Sequence, residues 1–333
     1  MSSAPSADDF ARDATWLVQA LDPAQGAARL VAMDRESYRA ASFLDDRMLK
    51  EPVDAQILSW SAIESAVSDD MRADARWIFH IGHVGSTLVS RLLGEIDDVL
   101  AIREPRLLRD LALTPADVRA RYVAPTPKLV SRTFAKSEVA CVKATSFASE
   151  IASELVPPGE RALLMFATPQ NYIGSILAGD NSVEEMRLLA GSRAQRLNSR
   201  QIYLPSQNDV GVAAAAWACE MTALEQAAEQ MADRQILWMN FDRMLGEMDL
   251  ALTSAANFFG FDDRRIGEIA NGSLMGRYSK DLEYEYGANL RRELIAEAAE
   301  RFSSEIEGAL AMLFSGAEKS PLLRRALARA KES

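Results

Sequence analysis

The segment Arg76-Trp77-Ile78-Phe79-His80-Ile81 runs directly into Gly82-His83-Val84-Gly85-Ser86-Thr87 and then into the helical run Leu88-Val89-Ser90-Arg91-Leu92-Leu93. No other stretch constrains the fold as much. The first six residues read as a buried strand. The two glycines allow backbone conformations closed to other residues and let N–H groups turn inward. Ser86 and Thr87 are residue types that cap helix starts, and the helix N-terminus adds partial positive charge. Strand, glycine loop and helix in that order make a seat for an anion such as phosphate, although an ordinary capped strand-to-helix turn has the same outline. The loop lacks the GxxxxGK[ST] spacing and no lysine stands at the helix start, which disfavours a conventional P-loop ATPase or kinase.

Four further apolar runs, Val99–Ile102, Val139–Val142, Ala162–Phe166 and Ile236–Met239, have the same strand-like character and are separated by helical patterns, including 191–200 and 210–234. Strands alternating with helices imply right-handed parallel crossovers and a sheet covered on both faces. The expected fold is therefore a three-layer α/β/α, P-loop NTPase-like fold with a parallel central sheet, added helices, and the glycine loop at the carboxyl edge. Residues 8–21, with Phe10, Trp16, Leu17 and Leu21, read as an amphipathic helix ending before Pro23, and helical patterns continue to about residue 66. Residues 1–70 are thus expected to form an N-terminal helical extension packed on a domain of residues 71–333. Leu290–Phe314 reads as one helix, followed by a basic one carrying Arg324, Arg325, Arg329 and Lys331.

A net charge of −11 argues against nucleic acid as the partner. It also means that a pocket for a polyanion must gather its positive charge locally. The first residues show no secretory signal and no apolar run approaches the ~20 residues that span a bilayer, so a cytoplasmic protein without a membrane partner is expected. Cys141 and Cys219 lie in apolar runs and read as buried thiols rather than a disulfide. No apolar run clearly ends in an aspartate placed to hold magnesium, and no metal site is expected.

Gly82-His83-Val84-Gly85-Ser86-Thr87 resembles the 5′-phosphosulfate loop of the sulfotransferase family, [PG]-[KR]-x-G-[ST]-T, with His83 in the basic place. The family's second motif, R-x-P with a serine six residues after the proline, is similar to Ala167-Thr168-Pro169 with Ser175. The run from Ile236 through Asn240-Phe241-Asp242-Arg243 to Phe258-Phe259-Gly260 looks like the family's late strand and following helix. The resemblance covers about residues 76–285. It implies binding of 3′-phosphoadenosine-5′-phosphosulfate (PAPS) by Gly82, His83, Val84, Gly85, Ser86 and Thr87, with Ser175 near the 3′-phosphate. Ala167 replaces the motif's arginine, and the cations expected to compensate are Arg193 and Arg196, together with Arg277 and Lys280 of a late loop.

Sulfuryl transfer needs a base for the acceptor proton and a partner for charge on the leaving oxygen. Glu104, just past the second core strand, is the expected catalytic base, although a glutamate also suits a helix start. His83 is the second catalytic candidate, as a protonated partner of the leaving group. His80 reads as a core residue. Arg103 is expected to pair with Glu104 or bind an anion, and Lys143, closing the third core strand, to contact an anion; both are candidate substrate contacts. Phe10, Trp16, Trp60, Trp217 and Phe258 read as core. The activity expected is PAPS-dependent sulfuryl transfer to a hydroxyl or amine of a small molecule or glycan, held by segments around 105–135 and 180–210. The rivals are a nucleotide-dependent phosphotransferase with an atypical loop and a non-catalytic nucleotide-binding protein.

Overall fold

The N-terminal segment is not the helical cap its pattern suggests. The protein is described by a computed structural model covering residues 5–50, 52–272, 274 and 288–331. Within residues 8–21 the helix is short, Ala7–Arg12, and the chain then enters strand β1 (Trp16–Asp22). With β2 (Ala27–Ala32) and β3 (Ala55–Ser59) it forms an antiparallel sheet in the order β1-β2-β3. The run Trp16-Leu17-Val18-Gln19-Ala20-Leu21 is buried throughout, so it lacks the polar alternation that would mark a strand. The turn after it carries the local signal. Asp22 Oδ1 accepts from the N–H groups of Ala24 (3.0 Å) and Gln25 (3.1 Å), and Gly26 takes φ 58°.

This small sheet packs against the rest of the chain and its apolar side chains join the same continuous core. β1 lies on the helix Arg106–Leu113, and the Leu21 N–H donates to Asp110 Oδ2 at 2.9 Å. The buried Arg132 guanidinium donates to the carbonyls of Phe10, Asp13 and Trp16, tying the start of the chain to the main body.

The apolar runs of the sequence become β4 (Arg76–His80), β5 (Val99–Arg103), β6 (Val139–Lys143), β7 (Arg161–Phe166) and β8 (Gln235–Asn240). All pair in parallel, in the order β5-β6-β4-β7-β8. β4, which feeds the glycine loop, is central. From it the chain moves first to one side (β5, β6) and then to the other (β7, β8). Right-handed crossovers accordingly put the helix Ser86–Leu93 on one face, where Met248–Phe259 packs beside it, and the 3-10 segment Ser146–Ile151 with the helix Asp209–Gln230 on the other. The expected three-layer α/β architecture with a parallel central sheet is the one observed. Gly82–Thr87 lies at the carboxyl edge, at the point where the strand order reverses and such sheets collect their ligands. The single helix expected over Leu290–Phe314 is two, Ala288–Arg301 and Ser303–Lys319, followed by Pro321–Lys331. Cys141 and Cys219 are buried and unbonded. No described helix is long and apolar enough to cross a membrane.

Candidate functional site

The glycine loop is pinned from below by His80. Its Nδ1 accepts from the Gly82 N–H (2.9 Å) and its Nε2 donates to the Ala144 carbonyl (2.9 Å), which fixes a neutral imidazole. Burial, with the nearby Lys143 charge, lowers the His80 pKa further from the neutral range. His80 is therefore the satisfied core residue the sequence suggested. Above it, Gly82 (φ 81°), His83 (φ 55°) and Gly85 (φ 62°) all adopt the left-handed conformation. Backbone turned this way forms the concave N–H arrays that hold anions.

Ser86 and Thr87 do not cap the helix they begin. The cap position belongs to Gly85, which has no side chain to bond the first turn. The N–H groups of that turn have no acceptor within the helix, and Ser86 and Thr87 are buried there. A helix start of this kind, at a loop bent inward, fits a phosphate or sulfate group. The Thr87 hydroxyl instead accepts from Lys143 Nζ at 2.9 Å.

Lys143 also donates to Glu104 Oε1, so three elements meet: the loop helix, the end of β5 and the end of β6. Lys143 is 1% exposed and the Glu104 side chain 13%, so neither charge is screened by bulk water. The pair is completed by Arg47, whose guanidinium reaches Glu104 Oε2 at 3.1 Å, and by His80, 3.7 Å from Oε1. Burial pushes the Glu104 carboxyl up, but the Lys143 ammonium more than offsets it. The net shift is well below the usual carboxylate range. Burial lowers the Lys143 pKa while Glu104 holds it up. Glu104, like His83, has positive φ (51°), a strained conformation for a side-chain-bearing residue.

Arg103 does not join them. It is 2% exposed and donates to the carbonyls of Tyr38, Arg39 and Ala41, with the Ala41 bond at 2.8 Å. The expected pairing with Glu104 or with an anion is replaced by an anchor holding the N-terminal segment on β5. Burial pulls its guanidinium down to about 10. The compensating arginines are also engaged elsewhere. Arg193 Nε lies 3.0 Å from the buried Glu220, and Arg196 bridges Glu220 (2.5 Å) and Glu150 (3.0 Å). Ser175 lies on the helix Pro169–Leu177. Arg277 and Lys280 fall outside the described residues.

The other two motifs converge on the loop. Ala167 is fully buried, with its carbonyl taken by the Trp217 indole at 2.9 Å. Next to it, the Thr168 N–H (2.9 Å) and hydroxyl (3.0 Å) donate to Asp242. Phe241, beside Asp242, lies against Gly85. His83 stands edge-on to Tyr172, with centroids 6.2 Å apart.

Two contributors were not read from the sequence, Phe43 and Arg47. Arg47 stacks on the Phe43 ring, 3.4 Å from its centroid, and Lys143 Nζ lies 5.4 Å from the same centroid. A pocket of about 350 Å³ opens beside Glu104, with Arg47, Arg106, Arg109, Asp45, Asp46 and Glu185 among its lining. It draws on both segments from which an acceptor pocket was expected. Its walls are largely ionic, with Arg106 on Asp46 at 2.5 Å and Arg47 on Asp45 at 2.6 Å.

Solved structures similar to the chain include two sulfotransferase domains. One is the sulfotransferase domain from the curacin biosynthetic pathway, 13% identical, with a TM-score of 0.45, covering 69% of this chain and 97% of that one. The other is the sulfotransferase domain from the Synechococcus PCC 7002 olefin synthase, 14% identical, with a TM-score of 0.39, covering 71% of this chain and 97% of that one. No family model and no curated protein matches.

Proposed function

We propose that the protein is a sulfotransferase moving a sulfuryl group from PAPS to a hydroxyl or amine of a small molecule or glycan. The observation that carries the reading is the cluster of Thr87, Lys143 and Glu104 beside an uncapped helix start at the carboxyl edge. It puts anion-binding groups and a carboxylate within one side chain's reach of each other. PAPS supplies an activated sulfuryl group on a phosphate leaving group. The acceptor's lone pair forms the new bond to sulfur, the bond from sulfur to the bridging oxygen breaks, and the nucleotide keeps that electron pair. The acceptor proton passes to Glu104. First-turn N–H groups and Thr87 hold the 5′-phosphate region, with Ser175 toward the 3′-phosphate, and His83 occupies the loop's basic position. The ionic pocket beside Glu104 favours a polar acceptor.

The test is calorimetric titration with adenosine 3′,5′-bisphosphate, PAPS, ATP and GTP, followed by transfer of labelled sulfuryl from PAPS to a panel of alcohols, amines and sugars. Preference for the bisphosphate, with label transferred, is the expected result. Preference for ATP with magnesium would replace the reading with a phosphotransferase. Tight bisphosphate binding without transfer or hydrolysis would make the protein a non-catalytic binder.

A further inference from the structure

We propose that Lys143 is the cation the loop itself lacks, and that it passes from Glu104 to the donor's anion on binding, releasing Glu104 to act as the base. This rests on the sulfotransferase reading and deepens it. His83 stands where the family's loop has lysine or arginine, so the loop carries no permanently charged side chain. Lys143 enters from the end of β6, two strands of the sheet away in sequence but adjacent to β4 in space. Its ammonium is buried, bonded to Thr87 on the anion seat and to Glu104 on the acceptor side. A lysine ammonium has three donors, so it can keep Thr87 while its remaining N–H groups turn from carboxylate to phosphate or sulfate.

The charges around the pair make the transfer consequential. Arg47, itself held by Asp45, faces Glu104 from the 3-10 segment Asp46–Lys50. His80 faces it from β4 as a neutral ring, and Arg103 adds positive potential on Lys143 from β5. The Phe43 ring also faces the ammonium, its centroid 5.4 Å from Nζ. In the free protein Glu104 is a poor proton acceptor, because the Lys143 ammonium holds its carboxyl low against the opposing effect of burial. An anion seated at Thr87 draws the ammonium's charge and adds its own negative charge nearby. Both effects raise the basicity of Glu104, so the base is activated only when the donor is present. An acceptor that arrives first meets a carboxylate engaged by lysine.

The test uses the whole protein with adenosine 3′,5′-bisphosphate and adenosine 3′-monophosphate, which lacks the 5′-phosphate. Lys143→Met should weaken the bisphosphate by on the order of 10- to 100-fold and leave the 3′-monophosphate within about twofold. The Glu104 carboxyl band in infrared difference spectra, assigned by its loss in Glu104→Gln, should protonate at higher pH when wild type holds the bisphosphate. Equal bisphosphate affinity in Lys143→Met, or an unmoved Glu104 titration with the bisphosphate bound, overturns the inference alone. No bisphosphate binding by wild type overturns it together with the sulfotransferase reading. Should Lys143→Met not fold, the infrared titration of the wild type decides the matter by itself.

Discussion

Phe241 lies across the side of Gly85 from which a side chain would grow: a Cβ there would overlap the Cε2 and Cζ atoms of the ring. Gly85 also has φ 62°, so a side chain meets a steric and a conformational penalty together. Gly82 has φ 81° and open space, with no neighbouring atom within 4 Å of where a Cβ would stand, so it meets only the second. Gly82→Ala should therefore cost about 1–2 kcal/mol of stability. Gly85→Ala should cost about 2–5 kcal/mol, because the ring must also move. Urea unfolding of the two variants checks this, and equal losses would mean that Phe241 yields freely.

How much of this was legible in the sequence follows from the physics of each element. The core strands were readable because a parallel sheet covered on both faces gives short continuous apolar runs between helices, and every such run became a strand. β1 is equally apolar, but its neighbours are hairpin partners, and the length and apolar spacing of 8–21 imitate a helix. The turn Asp22-Pro23-Ala24-Gln25-Gly26 was the local cue that favoured a hairpin. Lys143 was legible as a strand-ending cation at the ligand edge. Arg103, one position before Glu104, was not: it is the last residue of β5 and its direction depends on carbonyls some 60 residues away in sequence. Phe43 and Arg47 come from an irregular segment without periodicity, so only tertiary structure brings them to Glu104.

Arg103 separates an anchor from a ligand contact. Arg103→Met keeps the aliphatic bulk but leaves the carbonyls of Tyr38, Arg39 and Ala41 without their donor. A loss of about 2–4 kcal/mol in urea unfolding is expected, with affinity for adenosine 3′,5′-bisphosphate within about twofold. A variant that kept its stability but lost that affinity tenfold would return Arg103 to the site.

Glu220 is 2% exposed and holds both Arg193 and Arg196. Removing the carboxylate alone strands the part-buried Arg193 and leaves Arg196 with Glu150 only, so Glu220→Met should cost about 3–5 kcal/mol. Adding Arg193→Met removes one stranded charge and should recover part of that loss. The readout is the coupling energy in a double-mutant cycle of Arg193→Met and Glu220→Met. Strict additivity would show that Arg193 directs its charge elsewhere than Glu220.

Glu104 gives folding a pH dependence whose direction is fixed by its partners. Burial raises its carboxyl pKa, but Lys143 lowers it more, and the folded value lies well below the unfolded one of about 4.3. A carboxyl lowered in the folded state adds stability above its unfolded pKa and loses it as pH falls toward the folded one. Between about pH 4 and pH 2 this group should therefore remove up to roughly 1.4 kcal/mol per pH unit from the wild type. Glu104→Gln cannot bind that proton and lacks the slope. At pH 7 the variant leaves Lys143 without its carboxylate and should be about 3–5 kcal/mol less stable than wild type. By pH 3 the gap should narrow by about 1–2 kcal/mol, since only the wild type loses the contribution. Urea unfolding at pH 7, 5, 4 and 3 measures it. A gap that stays constant would mean Glu104 titrates alike in the folded and unfolded chains, and the Lys143 pairing would then not hold its charge in solution.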